Sequence, residues 1–347
     1  MKKHNLIFLL IFVSIFLNIT NCNSTEPPDD ELKPGRRDYT WEVDTLDGLN
    51  NPRDRMWGSS PNDVWATTTS NWTNSFSHFG GESWFSYGVP GINQPNAIYG
   101  FSSSDIFVGD ENGKIWRGPN WKLFAEITKD GHKNIGFNNI WGISSNDLYA
   151  IGAYPDTVIG GYNITLVAAH YSNNNWSILN KKNIIGIGAK IYKDSNDIIY
   201  ILTYKLGGGL TPDSSIIYEY DQENFKKIYS SIWVGGEQAN ISLINSKVYF
   251  ILGSKIAKRV NGQFQTFLQI DNSNFYQRIW GRNSKDIFLL MTDGLAHYNG
   301  TDIQYLFYFN KVPRTQIYGV ALFDKDAFFL VYEGQTGLSF VYHGKLN

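Results

Sequence analysis

The segment Ile140-Trp141-Gly142-Ile143-Ser144-Ser145-Asn146-Asp147-Leu148-Tyr149-Ala150 decides how this chain is read, because it recurs. Upstream it returns as Met56-Trp57-Gly58-Ser59-Ser60-Pro61-Asn62-Asp63-Val64-Trp65-Ala66 and as Ile98-Tyr99-Gly100-Phe101-Ser102-Ser103-Ser104-Asp105-Ile106-Phe107-Val108. Downstream it returns as Ile279-Trp280-Gly281-Arg282-Asn283-Ser284-Lys285-Asp286-Ile287-Phe288-Leu289. Weaker copies begin at Ile191-Tyr192 and Ile317-Tyr318-Gly319, and the most degraded begins at Ile241-Ser242, where Lys247 stands in for the aspartate. The aspartate-equivalent positions are 63, 105, 147, 197, 247, 286 and 326, spaced by 42, 42, 50, 50, 39 and 40 residues.

Each unit reads as four short strands. The first ends in the Ile-Trp-Gly element, a tight Ser/Asn/Asp turn follows, and a β-branched and aromatic second strand leads through a hairpin to a third. Asn112-Gly113 and Asp293-Gly294 lie at such hairpins, because these residues tolerate positive φ. A Gly- or Asn-containing turn then opens a fourth strand led by an aromatic residue. Four-strand units of about 40–50 residues are the signature of a β-propeller blade, and seven units predict an all-β, seven-bladed propeller. The last unit runs out of chain after its third strand, while 39–46 (Tyr-Thr-Trp-Glu-Val-Asp-Thr-Leu) form a strand with no unit of its own. The N-terminal strand is therefore expected to complete the last blade and remove an exposed sheet edge.

The repeat resembles that of bacterial β-propeller lipoproteins with Trp-Gly-x-Ser-x-x-Asp units, distant relatives of WD-repeat and BNR-type propellers. The N-terminus fits the same class. Lys2 and Lys3 precede the apolar run Leu6–Leu17, which has signal-peptide length and is short for a membrane span. Ile19-Thr20-Asn21-Cys22 then resembles a lipobox, with Asn21 departing from the usual small residue before the cysteine. The resemblance implies a signal peptide over 1–21 and lipidation at Cys22, hence an outer-membrane lipoprotein of the bacterial envelope, facing either the periplasm or the cell surface. Residues 22–38 carry four Pro or Gly and few apolar groups and are expected as a flexible tether, with the propeller over 39–347.

Composition narrows the function classes. The chain has 347 residues, a formal net charge of −2, 16% aromatic residues and one cysteine. A lone cysteine excludes an intrachain disulfide framework and a cysteine-based zinc site. The near-neutral balance argues against a nucleic-acid binder. No nucleophile elbow, zinc-protease helix, glycine-rich phosphate loop or calcium loop is present, and the sialidase box Ser-x-Asp-x-Gly-x-Thr-Trp is unmatched. Neither a cofactor nor a metal is expected. The repeated aspartates are expected to fix turns by accepting backbone N–H groups. The repeated Trp57, Tyr99, Trp141, Tyr192, Trp280 and Tyr318 are expected to pack blade against blade. His78, His170 and His297 occupy one third-strand position in different blades, too far apart to share a metal.

One position suggests a ligand site. Two residues before the repeated aromatic stand Arg55, Ala97, Asn139, Lys190, Asn240, Arg278 and Gln316, and each is followed by an apolar residue. This alternation predicts a polar ring at the channel mouth, with Arg53 and Arg314 just outside it. The long second-to-third loops 67–75, 153–163 and 205–214 fall on the same face with Trp72, Tyr154, Tyr162 and Tyr204, and the blade 4-to-5 connection adds Trp233. Exposed aromatics beside cations and amides suit an anionic glycan or a protein segment. The leading reading is a monomeric, lipid-anchored, non-enzymatic binding or assembly module for an envelope protein or glycan. The alternative is an extracytoplasmic carbohydrate-active enzyme that uses the channel mouth, which would need clustered carboxylates there.

Overall fold

Every copy of the repeat folds as a four-stranded antiparallel sheet, and seven such sheets form among the described residues. The protein is a seven-bladed β-propeller. The computed structural model describes residues 32–46, 53–69, 72–156, 163–208, 211–221, 224–234 and 238–347. The expected signal segment, Cys22 and the first part of the expected tether lie outside these residues. No helix among the described residues is long and apolar enough to cross a membrane.

Blades 1 to 6 span 53–87, 97–126, 136–178, 187–232, 239–269 and 275–308, each meandering from the channel outward. Blade 7 takes three strands from the C-terminus (Thr315–Leu322, Asp326–Glu333, Leu338–Leu346) and its outermost from Tyr39–Leu46. That closing strand pairs antiparallel with the last along its whole length, from Tyr39 opposite Leu346 to Leu46 opposite Ser339. Trp41 sets the seam, with its ring 4.9 Å from Phe307 of blade 6 and 6.0 Å from Phe329 of blade 7.

The compact unit begins at Pro34, five residues ahead of the strand. Gly35 N–H donates to Lys285 O at 2.8 Å, and Arg37 donates to Asp302 Oδ1 at 2.8 Å and to His297 O at 2.9 Å. This strap lies across the two turns of blade 6 that carry Lys285 and Asp302. Those turns, first-to-second and third-to-fourth, share one face of the ring. The second-to-third hairpins and the connections between blades share the other.

The core is divided rather than central. Seven buried clusters each draw residues from two neighbouring blades, as where Phe107 and Ile115 of blade 2 meet Phe137 and Leu148 of blade 3. Each fully buried Ile, Leu or Phe in such a layer contributes ~1.5–3 kcal/mol, so the aromatic surplus is largely the mortar between sheets. The repeated aromatics help in this. Trp57 lies over Gly100 of blade 2, where a Cβ would come within 2.7 Å of its ring, and Tyr99 donates to Gly142 O of blade 3 at 3.1 Å.

The repeated aspartates, expected to accept turn N–H groups, instead bind side chains through their carboxylates among the described residues. Asp63, Asp147, Asp286 and Asp326 each accept a hydrogen bond from a histidine Nε2–H on the third strand of the same blade, at 2.7, 2.7, 2.7 and 2.8 Å (His78, His170, His297 and His343). Each histidine lies directly opposite an aromatic two residues after the aspartate: Trp65, Tyr149, Phe288 and Phe328. Three of these rings stack face to face with centroids 3.8–4.2 Å apart. Blade 2 puts Arg117 in the same place, donating to Asp105 at 2.7 Å above the Phe107 ring, and blade 5 puts Lys258 over Tyr249. The histidines are thus structural clasps within single blades. No group of three His, Cys, Asp or Glu suited to a metal exists among the described residues.

Candidate functional site

The first strands of the blades open on the long-loop face around a central channel with a cavity of about 740 Å³. Five of the six polar residues expected at its mouth line it: Arg55, Asn139, Lys190, Asn240 and Arg278. Backbone irregularities place several of them. In blades 1, 3 and 4 the strand register slips just before the polar residue, between Arg53 and Arg55, Phe137 and Asn139, and Gly188 and Lys190.

Gln316 is displaced. Blade 7 carries its slip three residues later, past the polar position, between Ile317 and Gly319, and Gln316 Nε2 donates to Tyr276 OH at 3.0 Å. It lines a second cavity of about 190 Å³ with Arg314, Tyr276 and Met291. Arg53 turns away from the mouth: it is fully buried inside blade 1 and donates to Asn74 O at 2.5 Å.

The amides serve the walls. Asn139 Oδ1 accepts from Ile191 N–H at 3.1 Å, tying blade 3 to blade 4, and Asn240 Oδ1 accepts from Ile241 N–H at 2.9 Å. The cations are different. Arg55 Nε reaches past blade 2 to Asn138 O of blade 3 at 3.1 Å, where Ala97 is the small residue at the equivalent blade 2 position. Lys190 Nζ donates to Ile241 O of blade 5 at 2.9 Å, and Arg278 NH1 donates to Ile317 O of blade 7 at 3.3 Å while lying over the Tyr276 and Tyr318 rings. All three brace on backbone carbonyls, and none is hydrogen-bonded to a carboxylate among the described residues.

Electrostatics reflect this crowding. Burial, followed by the charges of Arg278 and Arg55, holds the Lys190 amine down to about 7. Burial likewise pulls the Arg55 guanidinium down, opposed by Asp54 and reinforced by Arg278. Asp54 sits behind Arg55 and accepts from Thr69 Oγ1 at 3.0 Å, and burial pushes its carboxyl up. The channel lining itself contains no Asp or Glu among the described residues.

The loop aromatics do not form an exposed set. Tyr154 is buried, its ring stacked on His132 at 4.1 Å and its hydroxyl donating to Asp130 at 2.9 Å. The blade 2-to-3 connection folds over it, which a reading of loop lengths alone could not show. Trp233 is half-buried, with its indole N–H donating to Ser215 Oγ at 2.6 Å. It packs edge-on against Tyr204 at 5.3 Å, and Tyr204 itself lines the channel, so Trp233 supports the mouth from behind. Trp72 stands in the short 3-10 turn Trp72–Asn74, and its side chain lies outside what the structure describes, as does Tyr162.

No family model and no curated protein matches the chain. Many solved structures share its fold. One, titled YCF48 bound to D1 peptide, is 16% identical with a TM-score of 0.57, covering 90% of this chain and 99% of that one. A catalytically inactive virginiamycin B lyase from Staphylococcus aureus with quinupristin is 14% identical with a TM-score of 0.61, covering 89% and 100%. The WD40 β-propeller domain of Doa1 is 12% identical with a TM-score of 0.58, covering 89% and 98%. At these identities the likeness is one of fold, and propellers of one architecture host unrelated activities.

Proposed function

We propose that this protein is a non-enzymatic binding module of the bacterial cell envelope, anchored by lipid at Cys22, that receives part of an envelope protein or glycan at the channel mouth. The observation that carries this reading is the convergence of Arg55, Lys190 and Arg278, from three blades, on one cavity, none of them hydrogen-bonded to a carboxylate among the described residues. Half-buried like charges crowded into one cavity are costly unless neutralised, so such a cluster is poised for an anionic partner. A glycosidase would need a pair of acids flanking the bond it cleaves, and the lining offers none among the described residues. A like-folded propeller solved with a peptide gives a precedent for a protein partner.

The test uses the full chain as bait against a detergent extract of its native envelope. The species retained by the wild type should be lost with Arg55→Ala and Arg278→Ala combined, while thermal unfolding of the double variant stays close to wild type. Separately, Cys22→Ala should move the protein from the membrane to the soluble fraction. Retention unchanged in the double variant, or glycan cleavage abolished by one acidic substitution, overturns the binding reading. Membrane association unchanged in Cys22→Ala overturns the anchor.

A further inference from the structure

Arg55, Lys190 and Arg278 approach the channel from blades 1, 4 and 6 and brace on carbonyls of blades 3, 5 and 7. Their brace points therefore stand two, two and three blades apart around a ring of seven. Each spends one N–H donor on its brace carbonyl, and Arg55 a second on Asp54 O, out of five for a guanidinium and three for an ammonium. Most of the donors remain for a ligand.

We infer that this tripod holds a tetrahedral oxyanion, a phosphoryl or sulfuryl group, on the channel axis. The inference rests on the binding function proposed above and names its chemistry. A carboxylate is planar, offers two oxygens and matches one Arg fork. Three cations spread around an axis match a group that presents three oxygens about that axis. The charge fits as well. A phosphate monoester carries about −1.5 to −2 near neutral pH, which answers the mutual repulsion of the three cations in a site screened less than open water. The cavity, about 740 Å³, is of small-ligand size.

Lys190 supplies a second signature. Its charged neighbours are Arg278 and Arg55, it shares the cavity lining with Tyr99, Tyr192, Tyr204 and Tyr318, and Asp54 acts on Arg55 from outside that lining. Without a ligand, burial and the two arginines hold its amine at about 7. An oxyanion beside it favours the ammonium, so binding draws a proton from solution and tightens as pH falls through neutrality.

The experiment is isothermal titration of the full chain in detergent micelles with sodium sulfate, inorganic phosphate, glucose 6-phosphate and acetate. One site should take sulfate and phosphate, with acetate at least about tenfold weaker. Glucose 6-phosphate tighter than phosphate would place the group on a sugar, and equal affinity would assign the ion alone. Sulfate does not titrate near neutrality, so its binding should tighten about tenfold from pH 8 to pH 6 through Lys190. Proton uptake would show as a buffer-dependent heat, and Lys190→Met should remove both effects. Arg278→Gln should weaken sulfate at least tenfold, while Arg278→Lys, with its charge kept, should retain most binding and report that the fold is intact. Acetate equal to sulfate, or sulfate binding unchanged in Arg278→Gln, overturns the inference. No binding of any probe, with envelope capture still dependent on Arg55 and Arg278, overturns the oxyanion and leaves the binding function standing. Loss of both overturns both.

Discussion

Replacing Asp286 by alanine should damage the fold far more than the same change at Asp105, although both occupy the same place in the repeat. Asp286 Oδ1 accepts from His297 Nε2–H at 2.7 Å, and its Oδ2 accepts from Arg282 NH1 at 3.0 Å. Arg282 continues across the blade 6–7 seam to Phe323 O at 2.5 Å and to Tyr39 OH of the closing strand at 3.0 Å. The side chains of His297, Asp286 and Arg282 are 0%, 9% and 16% exposed. Removing one partner of a buried charged network costs about 3–5 kcal/mol. An unfolding entropy of about 2.1 cal/mol/K per residue over roughly 310 residues gives ~0.65 kcal/mol/K, so ~4 kcal/mol lowers Tm by about 6 °C. At blade 2 the partner Arg117 is 45% exposed, and an exposed pair is worth about 0–1 kcal/mol, or under ~1.5 °C on the same scale. Differential scanning calorimetry of the two variants at pH 7 decides it. Equal shifts would refute the claim that the seam depends on this buried network.

Three further outcomes follow from the same packing. Gly35→Ala should lower Tm by a few degrees, because a Cβ there would lie 2.7 Å from His297 Cε1 and 2.8 Å from Asp286 Oδ1, an overpacking cost of about 1–3 kcal/mol. Deleting 39–46 should broaden and lower the unfolding transition, since it strips blade 7 of its outer strand; a scan matching wild type would contradict the closure. Stability should fall in two acid windows. His343 is held below the usual histidine range chiefly by burial, so the unfolded chain takes the proton first and stability declines as pH drops below about 6.5. For Asp286, burial pushes the carboxyl up but His297 and Arg282 hold it below its usual range. Its contribution is full above about 4 and is lost as pH falls through the folded value. Urea titrations should show the upper window flattened in His343→Gln and the lower one in Asp286→Ala.

The ring and its closure were legible because a propeller writes its architecture as a period. Asp63, Asp105 and Asp147 recur every 42 residues, Asp286 returns in the same motif, and the orphan strand 39–46 matches the strand missing at the C-terminus. Partners across strands were harder to read. That Asp326 meets His343, or that Arg117 replaces a histidine, depends on cross-strand register over loops of unequal length. The channel alternation placed Arg55, Lys190 and Arg278 in one cavity, but it could not foresee the slip after Ile317 that sends Gln316 to Tyr276. Tyr154 read as exposed because its loop is long; Asp130 and His132, which cover it, come from a connection with no repeat signal.

The strap through Gly35 and Arg37 also bears on orientation. It enters on the face of the tight turns, at Lys285 and Asp302, opposite the end at which the cationic mouth opens. With a lipid at Cys22, as proposed, twelve residues separate the bilayer from Pro34, a leash of at most ~40 Å when fully drawn out. Blade 6 is then the moored corner of the ring. The chain thus joins the ring on the face away from the tripod, so the strap and a ligand at the mouth do not compete for the same end of the channel.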